Sequence, residues 1–218
     1  MNYYVLVGFN LTIWIAGVIG MVRFRRIHPV YYPFLYCLWL GGINELLAAY
    51  LMSHHITTLA INNVYALAEA LLLLWFFYRW GASKTNRPLF FALCGLLIVE
   101  WALESLVVHP LTQTSLYFRL LYSLMLVLFS IQGIQFLLNR HQKNLLRSAD
   151  FLLCFSLALF FTYKIIVFSL LLYGLHASRS FLIHLYLILI YINLGTNLIY
   201  AIAVLWMPKK IAFTYPLS

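Results

Sequence analysis

Seven stretches of predominantly apolar residues, each separated from the next by a short polar loop, constrain this chain more than any other feature. They run roughly over 3–22, 31–52, 61–80, 88–109, 115–138, 150–174 and 181–206. A helix rising 1.5 Å per residue needs about 20 apolar residues to cross a hydrocarbon core about 30 Å thick. Lipid offers no partner to a backbone N–H or C=O, so each run must satisfy its own hydrogen bonds as a helix. The expected fold is therefore all-α, a single transmembrane domain over residues 1–218 with seven helices. The loops leave no room for a soluble domain, and neighbouring spans should run antiparallel. Charged residues make up 9% of the chain, against about 25% in soluble domains, so the first partner implied is the lipid bilayer. Met1-Asn2-Tyr3-Tyr4 has no basic region and no small-residue cleavage site precedes Arg23, so the first span should remain in place.

The formal net charge of +9 would suggest nucleic acid in a soluble protein, but here its placement gives it another meaning. Arg23, Arg25 and Arg26 fall in one loop, Arg79, Lys84 and Arg87 in another, Arg140, Lys143 and Arg147 in a third, and Lys209 and Lys210 in the tail. These are eleven of the fourteen Lys and Arg residues, all on one side, whereas the opposite loops hold Arg179. The positive-inside rule then predicts an amino terminus outside and a carboxyl terminus in the cytoplasm, in a multi-pass membrane protein. The basic loops read as anchors to anionic headgroups, and no nucleic acid partner is expected. Cys37, Cys94 and Cys154 lie in apolar runs near the cytoplasmic side and read as small core hydrophobes. Pro29, Pro33, Pro88, Pro110 and Pro208 fall in loops or first helical turns. None interrupts a span, which argues against the broken helices of many transporters.

The chemistry is concentrated in very few residues. Four of five acidic residues, Glu45, Glu69, Glu100 and Glu104, lie inside spans, and two cations, Arg119 and Lys164, lie inside later ones. A charge in hydrocarbon is expensive, so these groups should face the bundle interior, where intramembrane ionisable residues are functional candidates by default. Asn62, Tyr65 and Glu69 share a face of the third span, and Asn44 precedes Glu45 beside Gly41-Gly42, where a neighbouring helix can approach closely. Tyr122 lies on the Arg119 face of the fifth span. Asn193, Thr196, Asn197 and Tyr200 form a polar stripe on the seventh, more often interhelical glue than a ligand site. Four negative charges against two positive leave about two carboxylates to be protonated or matched by something bound. Lys164 should meet Glu69 or Glu100, and Arg119 should serve Glu104 or Glu45, because a stranded buried charge costs about 3–5 kcal/mol.

Other chemistries fit less well. His54, His55, His109, His176 and His184 map to outer loops or span ends and with Glu104 offer zinc-type ligands. No spacing sets two of them on one helical turn, so no metal and no cofactor is expected. A Lys in a seven-span bundle invites a Schiff-base reading, but rhodopsins carry theirs on the seventh span, and Lys164 is on the sixth. No Gly-x-Ser-x-Gly and no intramembrane Asp pair supports a protease.

Asn44-Glu45-Leu46, the Tyr65-x-Leu67-x-Glu69 run leading into leucines, and a fourth span with Glu100 and Glu104 resemble a group of small seven-span integral membrane proteins of bacteria. The resemblance implies an inner-membrane setting and makes Glu45 and Glu69 signature positions. It carries no activity. The leading expectation is a receptor-like or small-ligand-binding bundle, more plausibly not an enzyme. Its outward-opening pocket would be bordered by Glu45, Glu69, Glu100, Glu104, Arg119, Lys164, Asn44, Tyr65, Tyr122, Asn193 and Asn197. A small polar ligand or cation would be its partner, and any signal would need a separate protein. The alternatives are a proton- or cation-coupled transporter using the same carboxylates and, behind it, an intramembrane hydrolase.

Overall fold

A computed structural model describes residues 8–81, 87–108, 113–139, 145–172 and 179–209. Among the described residues seven α-helices have full bounds: α1 (Ile13–Arg23), α2 (Tyr32–Ser53), α3 (Leu59–Trp80), α4 (Arg87–Ala102), α5 (Leu116–Asn139), α6 (Ala149–Leu172) and α7 (Arg179–Trp206). Among the described residues the only β feature is an isolated bridge between Ile27 and Lys209. Six helical segments, Pro29–Ser53, Leu59–Trp80, Arg87–Leu106, Leu116–Asn139, Ala149–Leu172 and Ile183–Trp206, are long and apolar enough to cross a bilayer. The chain is an all-α, multi-pass membrane bundle. The expected first span reaches back to residue 3, and its residues 3–7 lie outside the described residues. The 11 residues of α1 span about 16 Å, short of a full crossing.

Side-chain contacts fix how the helices run. Asn10 and Thr12 meet Asn193 and Asn197, while Arg23 meets Val204 and Leu205. Numbers rise together, so α1 and α7 are parallel. Asn44 meets Asn62 whereas Phe34 meets Phe76, so α2 and α3 are antiparallel. The helices close into a ring in the order α1, α2, α3, α5, α6, α7, with α7 packed back on α1. The α4 helix is docked outside the ring against α3 and α5. Leu97 is its one buried residue, while Leu89, Phe91, Leu96, Ile98 and Val99 are exposed to the surroundings. Such a surface is at home in lipid, where helices gain no hydrophobic free energy by turning apolar faces inward.

Small residues set the close approaches. A Cβ on Gly42 would lie 2.7 Å from the Trp14 indole of α1, and one on Gly41 would lie 3.1 Å from the Tyr65 hydroxyl. Gly133 of α5 takes Cys154 and Trp80 at 2.8 Å from its absent Cβ. At the end carrying the basic loops, Arg23 donates to the carbonyls of Val204 (2.6 Å), Leu205 and Met207 (3.5 Å). These are among the carbonyls that a helix C-terminus leaves unpaired, where a cation also meets the negative end of the helix dipole. His28 N–H donates to Pro208 at 3.1 Å and Tyr31 O–H donates to Asp150 at 2.5 Å, so this end is laced shut.

Two irregularities shape the opposite end. The first span has a tight turn at Leu11-Thr12: Thr12 N–H and its hydroxyl both return to the Phe9 carbonyl, at 3.3 and 2.6 Å. At the end of α4 the chain widens into a π-helical turn, Leu103–Val108. Neither contains Pro or Gly. Both occur beside polar side chains that the structure uses.

Candidate functional site

The ring encloses a cavity of about 270 Å³, and every ring helix contributes to its wall. Eight of the eleven residues expected at a pocket line it: Asn44 and Glu45 from α2, Tyr65 and Glu69 from α3, Arg119 from α5, Lys164 from α6, and Asn193 and Asn197 from α7. Phe34, Leu73 and Tyr200 line the part nearer the basic-loop end. There Phe34 packs edge-on against Tyr200, centroids 5.1 Å apart, and against Phe76 at 5.9 Å. The polar wall thus stands above an aromatic floor.

The deepest polar group is the pair Lys164 and Glu69, with Nζ 3.1 Å from Oε2 and each side chain about one-tenth exposed. Tyr122, wholly buried, donates its hydroxyl to Glu69 at 3.0 Å and accepts from Lys164 at 3.0 Å. Tyr65 donates to the other Glu69 oxygen at 3.1 Å, one helical turn away. The rings of Phe160 and Phe161 lie 4.7 and 4.8 Å from the ammonium, close enough for the attraction of a cation to a π face. Charge and hydrogen bonds are both satisfied, and a fully satisfied buried network ties its elements rigidly, here α3, α5 and α6. Tyr122 is behind the wall rather than on it.

Glu104 and Glu100 are placed elsewhere, because they ride on α4 and the turn that follows, outside the ring. The π-helical turn aims the Glu104 carboxylate at the start of α5, where it accepts from Tyr117 N–H at 3.0 Å and Phe118 N–H at 2.6 Å. A helix start offers unpaired donors and the positive end of its dipole, which explains a 4%-exposed carboxylate with no cation within 4.0 Å among the described residues. Ser105 and Ser115 hydrogen-bond beside it at 2.8 Å. Glu100 is partly exposed, with no hydrogen-bond or ion-pair partner among the described residues.

Arg119 departs from its expected pairing. Its Nη2 donates to the Asn62 carbonyl at 2.9 Å and to Asn63 Oδ1 at 3.3 Å, and the guanidinium lies over Phe168 at 5.7 Å. No carboxylate is within 4.0 Å of it among the described residues. One reason is competition, since Glu104 is occupied by the α5 backbone. Asn10 accepts from Asn193 at 3.2 Å, and Thr12 accepts from Asn197 at 3.1 Å, so the turn in the first span carries two members of the wall. The stripe on α7 is thus glue to α1 and cavity wall at once.

Asn10, Asn62 and Asn63 are the polar residues of this region absent from the expected pocket set. Asn62 was legible from its shared face with Glu69. Asn63, 1% exposed, donates to the Gln113 carbonyl at 2.7 Å, and its own carbonyl accepts from Trp101 at 3.0 Å. Tyr163 turns away to the Leu185 carbonyl at 3.2 Å. Among the described residues no three His, Cys, Asp or Glu side chains come together as a metal site, and His109 and His176 lie outside the described residues. Comparison with protein-family models, with curated proteins and with solved structures finds no match for this chain.

Proposed function

We propose that this chain is a receptor-like, small-ligand-binding membrane bundle whose pocket opens towards the side opposite the basic loops. With the positive-inside asymmetry of those loops, that side is the outer face of the membrane. The observation that supports the reading is the cavity itself. Close packing of all six ring helices would remove a void of about 270 Å³, and voids forfeit dispersion contacts. A void whose wall instead carries Glu45, Asn62, Arg119, Asn193 and Asn197 is suited to a polar molecule. The aromatic floor of Phe34, Phe76 and Tyr200 closes it towards the basic loops, as binding requires and a through-path does not. A signal would pass to a separate protein, since the loops are too short to act as an effector.

A second reading, a coupled transporter, draws on the turn at Leu11-Thr12. That turn keeps its backbone hydrogen bonds as i to i−3 pairs and brings Asn10 and Thr12 to α7 beside the polar site, and helices that depart from regular geometry at such sites recur in many transporters. The experiment is a thermal-stability screen of the purified protein in nanodiscs against pools of small polar metabolites, followed by uptake assays in proteoliposomes with any hit. Ligand binding predicts stabilisation by a hit, lost in the cavity-filling variant Leu38→Phe, and no uptake. Uptake of the hit would establish the transporter, and no stabilisation by any pool would remove both readings.

A further inference from the structure

Four charged side chains line the cavity, and only two of them meet each other. Lys164 and Glu69 form a neutral unit closed by Tyr122 and Tyr65. Arg119 and Glu45 remain, opposite in sign and on different helices. A guanidinium has five N–H donors. Arg119 spends those of Nη2 on neutral oxygens, its Nε is buried without an acceptor, and Nη1 has no acceptor among the described residues. Its planar fork matches a carboxylate or similar oxyanion. Glu45 is partly exposed and has no cation within 4.0 Å among the described residues.

We infer that the cavity takes a small zwitterion of amino-acid type, its carboxylate on Arg119 and its ammonium on Glu45. This rests on the ligand-binding reading above. The charges decide the class. A simple cation would satisfy Glu45 but add a second positive charge to a low-dielectric space already holding Arg119, and a simple anion would do the reverse. A zwitterion neutralises both and leaves the formal charge of the site at zero. The volume bounds the size: a cavity of about 270 Å³ admits a small molecule and not a polymer.

The test uses three probes of one carbon skeleton on the full chain in nanodiscs: L-leucine, 4-methylpentanoate, which lacks the amine, and 3-methylbutylamine, which lacks the carboxylate. Affinity is read by calorimetry and thermal shift. Leucine should bind about tenfold or more tighter than either partial probe, since each leaves one wall charge unmatched. In Glu45→Gln the advantage of leucine over 4-methylpentanoate should vanish, and in Arg119→Met its advantage over the amine should vanish. Partial probes binding the wild type as well as leucine would overturn the zwitterion while leaving ligand binding intact. So would a hit from the metabolite screen together with no response to leucine or to a panel running from glycine to phenylalanine. No response to these probes or to any metabolite pool would overturn the ligand-binding reading as well. The three-probe comparison in the wild type decides the matter even where a variant fails to fold.

Discussion

Lys164 on α6 stands 3.1 Å from Glu69 on α3, so two residues 95 positions apart neutralise one another at the centre of the ring. Removing one partner leaves the other charge stranded. Lys164→Met should lower the unfolding free energy in detergent by about 3–5 kcal/mol. Adding Glu69→Gln should recover part of that loss. Equal stability of Lys164→Met and wild type, or strict additivity in the double variant, would show that the pair is not coupled.

Glu104 holds the first turn of α5 from another helix, through Tyr117 and Phe118 N–H. Glu104→Ala should cost about 1–2 kcal/mol, the scale of a lost N-cap. Glu104→Gln, which keeps an acceptor, should cost less. Amide hydrogen exchange at Tyr117 and Phe118 should rise in Glu104→Ala while that of the α6 core stays unchanged, which separates a lost cap from general loosening.

Two glycines make a paired test of packing. Gly133→Ala drives a methyl to within 2.8 Å of Cys154 and Trp80, and overpacking of this kind costs about 1–3 kcal/mol. Gly195 has nothing within 4 Å of a built Cβ, so Gly195→Ala should stabilise α7 by about 0.5–1 kcal/mol through backbone entropy alone. A rise in both melting temperatures would contradict the packing at Gly133, and a fall in both would contradict the open space at Gly195.

Orientation is open to direct labelling. In a cysteine-free background, His55→Cys should react with a membrane-impermeant maleimide added outside intact cells. Arg147→Cys should react only after the membrane is opened. The opposite pattern would turn the proposed pocket towards the cytoplasm.

The extents of most helices were legible because a bilayer imposes a length, and the centre of the ring was legible because charges are so few that Lys164 had little choice of partner. The position of α4 was not. Lipid tails are as apolar as leucine, so Leu89, Phe91 and Val99 carry no mark telling an outer helix from an inner one. With α4 went Glu100 and Glu104, which sequence alone treats like Glu45. The capping role of Glu104 depends on a π-helical turn and on where a different helix starts, neither written in residues 100–108. The turn at Leu11-Thr12 was hidden for a similar reason: without Pro or Gly, a break is signalled only by the partners that Asn10 and Thr12 find on α7.

The seam between α1 and α7 has a consequence for biogenesis. Asn10 reaches Asn193 across 183 residues, and Thr12 reaches Asn197 across 185. As helices enter the bilayer in order of synthesis, α1 waits through the insertion of five others before its polar edge finds α7. Contacts of such long range form slowly, and until they form Asn10 and Thr12 lack the partners that α7 supplies. The ring is therefore complete only once α7, the last of these helices, is in place, so a chain truncated before α7 lacks the partners of Asn10 and Thr12.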